Sequence, residues 1–461
     1  MTDKTTAPET KSTAAGRDWT KGKILNNLVS LAWPMMIGSM LNTLGPVVDM
    51  IWVGKLGTAA VAGVGVATIL VQLLDMLKMG FDQGTRAIIA RLAGAGDSRG
   101  ATNAALQGYV ITIGFAAIVG TLGVIFASPI MTTMGLSPEV VARGAPYMRI
   151  QFIGILIMGL VRQNEGTMYA SGDTLIPMRI SIIYRLFHIV LDPFLIFGWW
   201  IFPRLETSGA AYANLISQGL GAGIGLWVLI NGYSRLHLNF RGFRPDVDMI
   251  WRIVKIGVPA SITGIERNFG QLAITWFVVP FGTVAVAAHS VIQRVEQFVQ
   301  MPGQGLGQAS GIMAAQSLGA KQPERAEKTG WLGATLYSGV MVITAIVLWF
   351  WAENIIRIFN SEPELVRIAA TFIRIQILGY IINGYAVVLQ QCLTTTGDTV
   401  VPAAVVLFSI FAVQIPLAFF LTRYTDLGVY GTRWAIVSST IVSAAAYAIY
   451  FRLGKWKQKK L

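Results

Sequence analysis

Charge is scarce in this chain. Of its 461 residues, 13% are Asp, Glu, Lys or Arg, against about 25% in soluble domains. A single cysteine, Cys392, excludes an internal disulfide. No Gly-rich Walker loop is present, so ATP is not expected as the direct energy source. Metalloprotease helices, nucleophile elbows and Cys/His metal clusters are missing too, so neither enzymatic chemistry nor a bound metal or other cofactor is expected. No short apolar core with a cleavage site precedes the first long apolar run, which argues against a removable signal peptide.

What is abundant is apolar length. Hydrophobic residues make up 54% of the chain. About 20 apolar residues suffice for one membrane span, and such runs recur roughly twelve times. They lie near 27–53, 58–92, 102–127, 141–170, 174–199, 207–232, 250–278, 283–317, 327–352, 366–395, 400–422 and 427–453. Runs this long and evenly apolar are not barrel strands. The expected class is an all-α membrane protein in contact with the lipid bilayer. The net charge of +13 does not point to nucleic acid, because the basic residues follow membrane topology. With both termini inside, inner segments carry about 20 Lys/Arg and outer ones about 7. A multi-pass protein of the cell membrane with cytoplasmic termini is the expectation.

The chain also repeats itself at an offset of 225 residues, without a gap from Pro34 to Thr174. Pro34 recurs as Pro259, Gly94-Ala95 as Gly319-Ala320, Arg149-Ile150-Gln151 as Arg374-Ile375-Gln376, and Gly172-Asp173-Thr174 as Gly397-Asp398-Thr399. Six spans per half give the halves one orientation. They should form two six-helix bundles related by a pseudo-twofold axis along the membrane normal, with a cleft between them. The expected parts are a cytoplasmic tail (1–24), an N-lobe (25–231), a cytoplasmic linker (232–249) and a C-lobe with a basic tail (250–461).

Several of these residues carry a family likeness. Ala32-Trp33-Pro34, Val48-Asp49, Val53-Gly54-Lys55-Leu56-Gly57, Gly172-Asp173-Thr174 and Leu191-Asp192-Pro193 are followed by Gly209-Ala210-Ala211-Tyr212-Ala213. The C-lobe adds Gly257-Val258-Pro259, Ala287-Ala288-His289 and Gly397-Asp398-Thr399. In order and spacing these resemble the multidrug and toxic compound extrusion (MATE) family. The resemblance implies a V-shaped central cavity and efflux of small organic, often cationic and amphipathic compounds in exchange for H⁺ or Na⁺. A monomer would suffice. A lipid-linked saccharide flippase of the wider superfamily is the alternative; it would favour a cationic cavity, whereas Asp49, Asp192 and Glu266 favour cations.

A charge at mid-membrane costs about 2.5–3.5 kcal/mol, so ionisable residues inside spans mark candidate sites. Asp49 follows Pro46 by three residues, and the resemblance places it at the family's cation-responsive aspartate. Pairing with Lys55 near the outer interface is the plainer reading. His188 and Asp192 are four apart and share a helix face. Some family members carry Asn where His188 stands. Histidine titrates near neutral pH, whereas an Asn carbonyl suits Na⁺ better, so H⁺ is favoured as coupling ion over Na⁺. A structural ion pair is the alternative. The resemblance adds Asn214 and Glu266 to the candidate cation-coupling set. Pro34, Pro46 and Pro259 are expected to bend their helices.

Four side chains are candidates for the cavity wall: Met36, Met40, Asp75 and Gln297. Methionines adapt to several guest shapes. Gln297 belongs to a stripe with Gln293, Gln300, Gln304 and Gln308 that lipid would not tolerate. Asp75, Lys78, Asp82 and Arg86 form a ladder of alternating sign in which each is expected to pair with the next. Where it stands, the other repeat has Gly303, Gly307 and Gly311, a face for close helix contact. Arg162 is expected to pair with Glu165, Asp173 and Asp398 to cap helices, and Trp456 to anchor at the interface.

Overall fold

The computed structural model describes residues 18–459, apart from the side chains at 58, 59, 266 and 267. Most of the N-terminal tail, with its basic residues at 4, 11 and 17, lies outside the described residues. So does the Glu266 side chain.

The N-lobe holds α1 (Ile24–Val53), α2 (Thr58–Gly94), α3 (Ser98–Thr133), α4 (Pro138–Ser171), α5 (Leu175–Phe197) and α6 (Thr207–Ile230). The C-lobe holds α7 (Val247–Val278), α8 (Thr283–Gly319), α9 (Pro323–Arg357), α10 (Pro363–Thr395), α11 (Val400–Leu407), α12 (Ile415–Arg423) and α13 (Gly431–Leu453). A π-helical stretch, Phe408–Gln414, joins α11 to α12, so together they form one span. No strand occurs among the described residues. Ten of these spans are long and apolar enough to cross a membrane by composition alone. The other two, α7 and α8, are as long but more polar, and they lie at the junction of the lobes.

Local chemistry sets the boundaries. Asp97 accepts from Gly100 N–H at 2.8 Å at the start of α3, and Asp246 from Met249 N–H at 3.1 Å at the start of α7. Ser137 caps α4, with Pro138 in its first turn. Gly172 ends α4 at φ +89°, a left-handed conformation that a side chain disfavours. At about 1.5 Å per residue, α2 and α8 run roughly 55 Å, well beyond a hydrocarbon core of about 30 Å. Apolar side chains such as Ile118, Ile343, Phe350 and Ile449 stay exposed on the perimeter, as a lipid-facing surface requires.

Between the lobes, α1 packs on α8 and α2 packs on α7 and α8. The contact is closest at the end where α1 begins and α13 ends. A Cβ on Gly94 would strike the Gln316 backbone, and one on Gly319 would strike Arg91 O. Gln316 donates to Ala170 O at 2.8 Å, and Ser261 donates to Leu77 O at 2.6 Å. The Gly303, Gly307 and Gly311 face packs as expected, against Tyr337 of α9 and against Gln391 and Thr395 of α10.

Two sequence expectations change here. Trp456 is not an interface anchor: it is fully buried, stacked on Phe451 with ring centroids 4.5 Å apart. Asp398 does not cap α11; it accepts from Lys459 Nζ and Tyr450 Oη, each at 2.6 Å, and so holds the C-terminal tail. The 232–249 segment is docked against the N-lobe. Leu236 and Leu238 are buried, and Gln107 donates to Arg244 O at 3.0 Å. Asp173 does serve α5, accepting from Ile176 N–H at 3.4 Å, and it also accepts from Ser234 of the linker.

Candidate functional site

The N-lobe site forms where α1 crosses α5. Apolar neighbours bury both helices, and the sequence places acids on the facing sides. Asp49 lies one turn beyond Pro46, whose missing N–H leaves a helix hydrogen bond unmade. His188 and Asp192 are stacked on α5 by their four-residue spacing. His188 Nε2 is 3.0 Å from Asp49 Oδ1 and 3.4 Å from Asp192 Oδ1. All three residues are buried, and their ligand atoms lie within 4.8 Å of one another. Lys55 has no part in this. It is exposed, with its ammonium 4.3 Å from the Trp52 ring centroid, so pairing with Asp49 is excluded.

These contacts are short but poorly aimed. Asp49 Oδ1, His188 Nε2 and both Asp192 oxygens complete no hydrogen bond with another described residue. Behind the triad stands Arg185, also buried, with Nη1 3.3 Å from His188 Nδ1. Its guanidinium occupies the place a Cβ on Gly45 would take, so it packs directly on the α1 backbone at this glycine. Tyr184 Oη donates to Asn42 Oδ1 at 2.7 Å and ties α5 to α1 a second time. Neither Arg185 nor Tyr184 was singled out from sequence; an arginine one turn before His188 in an apolar run was the available signal.

The charge count decides what this site can hold. Two carboxylates and one guanidinium leave a net charge of −1 when His188 is neutral. Bare charge of that kind in an apolar interior needs neutralising. One proton or one monovalent cation balances it, and a divalent ion beside Arg185 would overshoot. The oxygens suit either.

The structure does not bring Asn214 to the triad by a hydrogen bond; its Oδ1 accepts from Gln218 one turn along α6. Both Pro34 and Pro46 sit inside an unbroken α1, and Pro259 inside an unbroken α7.

A cavity of about 710 Å³ lies beside the triad, in the half of the bundle remote from the chain termini. Asn42, Thr43, Pro46 and Val47 of α1 form one wall, so triad and cavity share a helix. Gln293, Gln297, Gln300 and Gln304 of α8 form another. The π-helical stretch contributes Ile410 and Gln414. Of the four cavity candidates, Gln297 alone is on the wall. Met36 is packed against Gly305 of α8, where the lobes have already closed. Met40 is exposed but does not line the cavity. Asp75 pairs with Arg162 of α4 at 2.5 Å.

That pair revises the ladder. Lys78 and Asp82 do bond, at 2.5 Å and fully buried, but the two ends turn outward, Asp75 to α4 and Arg86 to Gln308 of α8 at 3.5 Å. Glu165, expected to pair with Arg162, accepts from Ser181 of α5 at 2.8 Å. Gln308 is thereby withdrawn from the cavity wall.

A second polar cluster closes the cavity's C-lobe side. Arg433 of α13, fully buried, donates to Glu296 Oε1 at 3.0 Å and to His289 Nδ1 at 2.7 Å. Tyr380 Oη donates to Glu296 at 3.2 Å. At the repeat offset His289 and Glu296 correspond to Val64 and Val71, and Asp49 to Ile274. The lobes share a fold but place their buried charges at different positions. Arg433 was missed from sequence, although a basic residue inside span twelve was its signal.

Comparison with known proteins agrees with this architecture. The MatE family model matches the chain twice, over residues 34–194 and 259–420. "Probable multidrug resistance protein YoeA" of Bacillus subtilis is 29% identical over 93% of this chain and 93% of its own length. A NorM protein of Thermotoga maritima, named as a probable multidrug resistance protein, is 24% identical over 95% and 94%. The "FAD transporter" of Shewanella oneidensis is 24% identical over 92% and 94%. Among solved structures, an outward-facing multidrug resistance MATE transporter superposes with a TM-score of 0.89 at 21% identity, over 97% of this chain and 98% of that one.

Proposed function

The chain belongs to the MatE family, and on that premise we propose that it is a proton-coupled antiporter that exports small organic compounds by alternating access. The observation that carries this is the Asp49–His188–Asp192 triad, buried, net negative by one charge and with unspent oxygen and nitrogen atoms. Relatives named for multidrug resistance support the small-organic cargo. The distribution of Lys and Arg supports a place in the cell membrane with both termini cytoplasmic.

In this reading the molecule stands open toward the outside. The cavity occupies the outer half, and the lobes are closed at the inner end through Gly94, Gly319 and Gln316. A proton reaching the triad cancels its charge. The side chains of α1 and α5 then lose the repulsion that holds them apart, and α1 shifts near Pro46, altering the cavity wall it shares. Guest binding and proton binding are thereby exclusive, so proton uptake expels the guest. One charge falling through 100 mV releases about 2.3 kcal/mol. With a modest pH gradient that sustains roughly a hundredfold concentration ratio, since about 1.4 kcal/mol is tenfold. Transport from one complete pair of lobes needs no second copy, so the working unit is a monomer. A saccharide flippase finds little support, because the cationic Arg433 is neutralised by Glu296.

The test is dye efflux from vesicles under a pH gradient or a Na⁺ gradient imposed separately. Asp192→Asn is expected to abolish pH-driven efflux while leaving expression intact. Wild-type rates in that variant would remove the proposal.

A further inference from the structure

The cavity wall is rich in amides. Of the 29 residues lining it, 11 are Asn or Gln, and Tyr447 is its one aromatic side chain. The resemblance to multidrug exporters led to an expectation of cationic, amphipathic guests. Such guests are held by aromatic faces and by free carboxylates. Neither is offered by the described lining. Its single carboxylate, Glu296, is taken by Arg433 and Tyr380, and Arg433 in turn spends its charge on Glu296 and packs over Phe372 at 4.6 Å. The described lining is therefore neutral toward a ligand of either sign.

Its hydrogen-bonding capacity, by contrast, is largely unspent. The side chains of Gln72, Gln271, Gln297, Gln300, Gln304 and Asn383 face the cavity and bond no other described residue. Each carries two donors and an acceptor. They come from α2, α7, α8 and α10, so the groups surround the space rather than forming one edge. A volume of about 710 Å³ is that of a small-molecule site. Amides on all sides cannot reward a hydrocarbon cation, which would strand them unpaired, but they match a guest that brings hydroxyl and amide groups of its own.

We propose that the cavity selects uncharged compounds rich in hydroxyl and amide groups, recognised through these six side-chain amides. This deepens the export reading and rests on it for the direction of movement, but binding itself needs no gradient. The test is therefore equilibrium binding to the full chain in detergent, with riboflavin and 4-methylumbelliferyl glucoside as neutral probes and ethidium as the cationic one. Both neutral probes are expected to bind more tightly than ethidium. Gln297→Leu with Gln300→Leu should weaken them by about tenfold or more, since each lost hydrogen bond is worth about 0.5–1.5 kcal/mol. Gln300→Glu, which keeps the shape and adds a carboxylate, should raise ethidium affinity. Preference of the unmodified protein for ethidium, or no binding of either neutral probe, overturns the proposal. Neutral probes that bind but are not moved by any imposed gradient overturn the export reading and leave this one standing.

Discussion

Arg185 holds His188 in one tautomer. Its Nη1 lies 3.3 Å from His188 Nδ1, and a guanidinium has no acceptor to offer, so Nδ1 must be the accepting nitrogen. The ring proton then sits on Nε2, the nitrogen turned toward Asp49 and Asp192. His188 thus turns its N–H toward the two carboxylates. Replacing it by asparagine would substitute an amide, whose carbonyl is an oxygen ligand of the kind Na⁺ prefers. His188→Asn is expected to lower pH-driven efflux by about tenfold, one decade being about 1.4 kcal/mol of coupling, and to gain Na⁺-driven efflux. The same vesicle assay, run with each gradient alone, reads both. An unchanged ratio between the two drives would deny His188 any part in ion choice.

The inner closure depends on contacts that straddle the lobes. Arg325 of α9 donates to Trp19 O, Lys21 O and Gly22 O at 2.9–3.1 Å, and Trp19 Nε1 donates to Gly172 O of the N-lobe at 2.8 Å. On the other flank Arg91 of α2 donates to Lys459 O at 2.6 Å. Arg325→Ala removes three hydrogen bonds at once and should favour opening at this end. Because Cys392 is buried, thiol labelling has a low background. A cysteine at Ser171, itself buried at the closure, is expected to label several-fold faster in the Arg325→Ala background. Equal labelling rates would mean that the glycine contacts between α2 and α8 suffice for closure.

Much of this was legible in the sequence, for particular reasons. Ten of the twelve spans follow from apolar length alone, and the repeat announced two lobes. His188 and Asp192 were readable as neighbours because helical spacing is local information. The glutamine stripe of α8 was readable for the same reason. What sequence could not supply were partners far along the chain. Asp75 looked satisfied by Lys78, yet Arg162, 87 positions away, lies at 2.5 Å. Glu296 and Arg433 are 137 positions apart. Trp456 read as an interface residue because Lys455 and Lys457 flank it, but Lys457 is held by Glu327 and Lys459 by Asp398, and the ring is stacked on Phe451. Met36 was a reasonable cavity residue until the depth of lobe closure was known.

Asp173 offers a test outside the spans. It lies at the α4–α5 turn, half-buried, bonded to Ile176 N–H and Ser234. Burial pushes its carboxyl above the usual carboxylate value, a shift that these hydrogen bonds and the charge of Arg235 only partly oppose. A carboxyl that holds its proton more tightly when folded stabilises the fold at low pH. That contribution is lost as pH rises through the folded value. Asp173→Asn removes the cost of the buried charge and keeps an acceptor. Its melting temperature should exceed that of the unmodified protein at pH 7, and the difference should shrink toward pH 4. A difference that grows on acidification would show that the charged form is the one the turn prefers.

The Glu296–Arg433 pair should reveal itself through the asymmetry between breaking and replacing it. Both side chains are withdrawn from solvent, Arg433 completely. Removing one partner leaves the other as an uncompensated buried charge, at a cost of about 3–5 kcal/mol, whereas replacing both by uncharged groups of similar volume is often neutral. Arg433→Met alone strands Glu296 with only the Tyr380 hydroxyl and also deprives His289 Nδ1 of its donor. It should lower the melting temperature in detergent by several degrees. Adding Glu296→Gln to that variant should recover most of the loss, since the amide can still accept from Tyr380. Restoration of stability in the double variant also isolates function. If the pair only neutralises the wall, the double variant should bind neutral guests as the unmodified protein does, because no net charge has changed. If binding falls while stability returns, Arg433 or Glu296 touches the guest directly.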